Sequence, residues 1–193
     1  MSMFWLAAVL SFSLQLTFAQ PAQIILIRHA EKPEDANAVH LSKEGEQRAH
    51  ALVGFITKNG EMTRFGLPVA LFATHPTRHG HGVRTRETLA PLAKSLHIVV
   101  QEPYPAEDYE GLAKSILSNK HYDGKCIMIA WNHTEISKLA AALGVSPEPP
   151  KWKEGVFDRV LLIRYDDGKA TLKNIPQDLD GSNQRKHADR TGF

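Results

Sequence analysis

Residues 24–31, IILIRHAE, run from four consecutive apolar side chains straight into Arg28-His29. A short apolar run bounded by polar residues reads as a strand buried on both faces. In open α/β sheets ligands bind beyond the carboxyl ends of the strands, so the Arg-His pair stands where chemistry is done. An imidazole beside a guanidinium suits a phosphoryl group, because a ring nitrogen can attack phosphorus while the planar fork holds its oxygens. The dipeptide alone is common, and it gains meaning only from the segments downstream of it.

Four later segments repeat one helical stripe, with apolar residues at i, i+3, i+4 and i+7. They are Ala49, Leu52, Val53 and Ile56; Leu89, Leu92, Ala93 and Leu96; Tyr109, Leu112, Ala113 and Ile116; and Ile136, Leu139, Ala140 and Leu143. Strand-like runs at 24–27, 69–73, 98–100 and 126–130 alternate with them. This order implies right-handed crossovers and an α/β three-layer sandwich, with a mostly parallel sheet and helices on both faces. The ending differs: runs at 156–165 and 169–175 flank Asp167-Gly168, a hairpin signal that predicts an antiparallel C-terminal edge. Ser42 is an expected N-cap, Asn132 with Glu135 resembles a capping pair, and Gly144 is placed to end the last helix.

A chain of 193 residues with 42% hydrophobic content can bury one core, expected over residues 20–178. Residues 1–19 carry no charge and read as a signal peptide, cut after Ala19 or Ala22, so the mature protein is expected to be secreted or periplasmic, without stable membrane insertion. Residues 179–193 read as a flexible polar tail. The formal net charge of +2 gives no reason to expect a nucleic acid partner. The single cysteine, Cys126, lies inside the apolar run CIMIA and reads as an inert buried thiol that excludes an intrachain disulfide.

Two further segments concentrate polar chemistry. Residues 74–92, THPTRHGHGVRTRETLAPL, form a basic loop feeding a helix that starts near Arg84, where only one of Arg84 and Arg86 can face a site shared with Arg28. Residues 126–135, CIMIAWNHTE, end another strand in a turn bearing His133, next to a helix N-terminus that favours anions. His75, His79 and His81 lack an accompanying Cys or carboxylate cluster, so no metal site and no cofactor are expected. Trp131 and Trp152 fit packing better than substrate contact, and Lys151-Trp152-Lys153 reads as surface.

Together these segments resemble the histidine phosphatase superfamily, the phosphoglycerate-mutase-like or RHG family, in its small branch. The matching elements are Arg28-His29, Leu41-Ser42-Lys43-Glu44-Gly45 with Arg48-Ala49, Arg84-Thr85-Arg86-Glu87-Thr88, and the strand and turn at 127–133. The resemblance spans roughly residues 23–175 and implies a metal-independent phosphatase acting through phosphohistidine on a small phosphorylated substrate or phosphoprotein. It implies that His29 is the nucleophile, that Arg28, Arg84 and His133 bind the phosphoryl oxygens, and that an acid lies between Arg84 and His133. Glu107 stands nearest that place; Asp108, Glu110, or no dedicated acid are the alternatives.

The chain departs from the family pattern in having Ala30 and Glu31 after the Arg-His pair, and in lacking a Ser near Arg84. Its short length leaves little room for a large inserted cap, so an open site and a broad phosphatase are expected. A non-catalytic anion-binding module with a retained pocket and a mutase-like phosphotransferase are the rival readings.

Overall fold

The computed structural model describes residues 20–179 apart from 36, 79 and 81. The expected leader, His79, His81 and the chain from 180 lie outside the described residues. The element order is β1 (Gln23–Arg28), α1 (Lys43–Lys58), α2 (Gly60–Thr63), β2 (Ala70–Phe72), α3 (Val83–Leu96) and β3 (Val100–Gln101). Then come α4 (Tyr109–Leu117), a 3-10 turn at Lys120–Tyr122, β4 (Cys126–Trp131), α5 (Ile136–Ala142), β5 (Arg159–Asp166) and β6 (Lys169–Pro176).

The strands form one six-stranded sheet in the order β3-β2-β4-β1-β5-β6. The first four are parallel, while β5 runs antiparallel to β1 and β6 antiparallel to β5. This is the expected α/β sandwich with its antiparallel edge. The hairpin turn places Asp167 at φ 46° and Gly168 at φ 77°, the left-handed pair that matches strand twist in a two-residue loop.

Alternation along β1 divides the core. Ile24 and Leu26 pack with Leu112, Ile116, Ile136 and Leu139 of α4 and α5, whereas Ile25 and Ile27 pack with Leu52, Ile56, Leu89 and Leu92 of α1 and α3. Every residue of β1 and β4 is buried, which is why both read as unbroken apolar runs. Each helical stripe faces the sheet, and the Ser42 side chain accepts from Gly45 N as the cap of α1. Cys126 is buried, and burial pushes its thiol up to about 12, as fits an inert side chain.

Strand boundaries differ from expectation, most clearly in three places. The second strand narrows to Ala70–Phe72. The third shifts to Val100–Gln101, with Val99 82% exposed at the sheet edge. The fifth strand begins at Arg159 rather than 156 because the carbonyls of Glu154 and Val156 accept from the Arg28 guanidinium, which diverts that stretch from the ladder. At the other end Leu179 still packs on the α1/α3 side, one residue beyond the expected domain boundary.

Candidate active site

Parallel register brings the carboxyl ends of β2, β4 and β1 together. Arg28 is opposite Trp131, and His29 N donates to Trp131 O at 3.1 Å, so residues 29 and 132 leave the sheet at one level. A cleft of about 280 Å³ opens there, with His29, Thr74, Arg84, Glu107, Asn132 and His133 among its walls.

His29 is 6% exposed. Its Nδ1 lies 2.7 Å from Ala30 O. A carbonyl can only accept, so Nδ1 carries the proton and Nε2 keeps its lone pair. Burial, then the charges of Arg28, Arg84 and His133, lower its pKa to about 3 against the opposing pull of the Ala30 carbonyl. The ring is therefore neutral at physiological pH.

Arg28 is fully buried beneath His29 and does not itself line the cleft. Its Nη1 donates to the carbonyls of Glu154 and Val156, and its Cζ sits 3.9 Å from the centre of the Phe157 ring. Nε and Nη2 are buried with no hydrogen-bond partner among the described residues. Desolvation lowers the pKa to about 10, so the guanidinium stays charged at neutral pH. A buried cation with unfilled donors is costly unless an acceptor completes it.

Arg84 opens onto the cleft from the first turn of α3 and donates from Nη1 to Ala38 O at 2.7 Å. Arg86 instead turns to Glu102, 3.6 Å away. Thr88, four residues after Arg84, accepts from Ala30 N at 2.9 Å and donates to Arg84 O at 2.7 Å, which ties the segment after His29 to α3. His133 is half-buried in the turn before α5, where Asn132 Oδ1 accepts from Glu135 N. Burial and then the Arg28 charge lower its pKa, which favours the neutral ring.

The acidic alternatives separate by position. Asp108 is occupied as the cap of α4, accepting from Gly111 N at 3.0 Å, and Glu110 lies in the helix's first turn. Glu107 alone of the three lines the cleft. Its loop is anchored by Trp131, fully buried, whose Nε1 donates to Ala106 O at 3.1 Å. Trp152 also packs, donating to Val156 O. Among the described residues no group of three or more His, Cys, Asp or Glu is arranged to hold a metal ion, and no helix is long and apolar enough to cross a membrane.

Reading the sequence missed Thr74, Thr85 and Phe157. Thr74 ends the β2 run as His29 ends β1, a signal that was present; its backbone N and hydroxyl both meet Thr85 Oγ1. Phe157 carried no signal, because its role depends on chain reversal after α5.

No family model and no curated protein sequence matches the chain. Solved structures do match in shape. A phosphoserine phosphatase mutant from Entamoeba histolytica, in complex with phosphoserine, superposes with a TM-score of 0.53 at 14% identity, covering 83% of this chain and 98% of its own. A phosphoglycerate mutase from Bacillus anthracis gives 0.54 at 13% identity over 84% and 95%. The protein YhfR from Bacillus stearothermophilus gives 0.53 at 14% identity over 78% and 94%. These solved structures belong to the histidine phosphatase superfamily, and the chain shares their fold.

Proposed function

We propose that this protein is a metal-independent phosphatase that hydrolyses phosphomonoesters or phosphoprotein through a phosphohistidine on His29. The observation that carries this reading is electrostatic. The charged guanidiniums of Arg28 and Arg84, with the His133 N–H, surround the neutral ring of His29, and Arg28 keeps two buried donors without a partner among the described residues. Such a cluster is stabilised by a multiply charged oxyanion in the cleft.

In this mechanism His29 Nε2 attacks phosphorus as the P–O bond to the leaving group breaks. Glu107 delivers a proton to the departing oxygen. From the cleft wall Arg84 and the His133 N–H hold the equatorial oxygens, where charge is spread during transfer, and the buried Arg28 guanidinium adds its positive charge from behind that wall. Water then attacks phosphorus, Glu107 takes its proton, the P–N bond breaks and His29 returns to its neutral form. The same chemistry fits the phosphoserine phosphatase similarity. The uncharged segment 1–19 supports export to a secreted or periplasmic location.

The test is intact-mass analysis after an acid-free quench with excess aryl phosphate, beside His29→Ala. An adduct of one phosphoryl group on His29 that forms and decays with phosphate release is expected, and the variant should show neither. Phosphate-induced thermal stabilisation without adduct or turnover would replace this reading with an anion-binding module.

A further inference from the structure

The segment after His29 is held more firmly than a loop needs to be. The Glu31 carboxylate, nearly buried, receives Arg48 Nε at 2.8 and 2.9 Å and Arg48 Nη2 at 2.6 Å. Arg48 Nη1 reaches Gln177 Oε1 at 3.3 Å. Gln177, 1% exposed, donates from Nε2 to Arg159 O at 3.0 Å and from its backbone to Asp158 O at 2.7 Å. Asp158 adjoins Phe157, whose ring lies against Arg28 and 6.0 Å from the His29 ring. The chain of contacts thus leaves the nucleophile through Ala30-Glu31 and returns to it through Phe157.

Isolated buried ion pairs are poor devices for stability, since desolvation offsets their attraction. This one fixes a particular peptide. Ser42 N donates to Glu31 O at 3.0 Å, and α1 approaches so closely that a Cβ on Gly45 would lie 2.4 Å from that oxygen. With Thr88 on Ala30 N, the carboxylate anchor leaves Ala30 O little freedom, and Ala30 O is the acceptor that selects the His29 tautomer.

We propose that Glu31, Arg48 and Gln177 form a positioning brace that holds Ala30 O against His29 Nδ1 and so aims His29 Nε2 at phosphorus. The catalytic part rests on the phosphohistidine reading above; the tautomer part does not. None of the three touches the substrate. Their removal disturbs orientation of the nucleophile and leaves oxygen binding by Arg84 and His133, and the charge of Arg28, in place.

The test compares Glu31→Gln, Arg48→Gln, Arg48→Lys, the Glu31→Gln/Arg48→Gln double variant and Glu61→Gln, which breaks an ion pair to Arg164 elsewhere. With aryl phosphate, kcat should fall by about 10- to 100-fold in either Gln variant while KM stays within about twofold, as misplacement of a reacting group predicts. Arg48→Lys should recover part of the rate, the double variant should be no slower than the slower single one, and Glu61→Gln should match the wild type. In ¹⁵N spectra the His29 tautomer should lose its Nδ1–H preference in the Gln variants. Unchanged kcat in folded variants, a loss confined to KM, or multiplicative losses in the double variant would overturn the brace. If the wild type releases no phosphate, the phosphatase reading fails by itself, and the ¹⁵N spectra still decide: an unchanged tautomer in folded Glu31→Gln and Arg48→Gln overturns the brace.

Discussion

His29→Asn should flatten the acid limb of the protein's stability curve. In the folded state burial holds the His29 pKa near 3, against 6.5 for an ordinary histidine. Between those values the unfolded chain binds a proton that the folded chain refuses, so folding stability is intact above about pH 6.5 and falls as pH drops towards 3. Each pH unit inside the window is worth about 1.4 kcal/mol, so moving from about pH 7.5 to about pH 4.5 removes roughly 2.5 kcal/mol through this one group. That is a large share of a typical total of about 5–15 kcal/mol. Asparagine retains an amide to donate to Ala30 O and cannot titrate. Urea unfolding of both proteins at the two pH values isolates the effect, since His133 and the carboxylates contribute to each. The wild type should lose about 2–3 kcal/mol more than the variant on acidification. Equal losses would refute the argument that burial keeps His29 neutral.

Three further substitutions probe the same geometry. Thr88→Val keeps the volume but strands the buried Ala30 N–H, which should cost about 1–3 kcal/mol in denaturant unfolding and reduce turnover. In Gly45→Ala the new Cβ would meet the Glu31 backbone, which cannot swing aside as a side chain does. The overpacking cost of about 1–3 kcal/mol should match or outweigh the gain of about 1 kcal/mol from helix propensity, so thermal melting should show no stabilisation. Glu107→Gln should slow hydrolysis of alkyl phosphates far more than of aryl phosphates, whose leaving oxygen needs no proton; equal losses in steady-state assays would remove Glu107 as the acid.

Much of this protein is determined by sequence pattern alone. The apolar runs at β1 and β4, too short for helices and bounded by polar residues, read as strands covered on both faces, and the i, i+3, i+4, i+7 stripes of α1, α3, α4 and α5 supply the covering layers. Asp167-Gly168 specifies its hairpin through backbone conformations that few other pairs adopt. Residues at strand ends, His29 and His133, were legible because the end of an apolar run is a local signal. What required tertiary structure was non-local. Arg28 meets Phe157 and two carbonyls 126 and 128 residues away, and this contact moves the start of β5. Glu107 is distinguished from Asp108 by a capping bond and a cleft wall, and Glu31 finds Arg48 and Gln177 only once α1 and the end of β6 are docked. Periodicity reports which face of an element is buried; it carries no information about which distant polar groups meet when those faces come together.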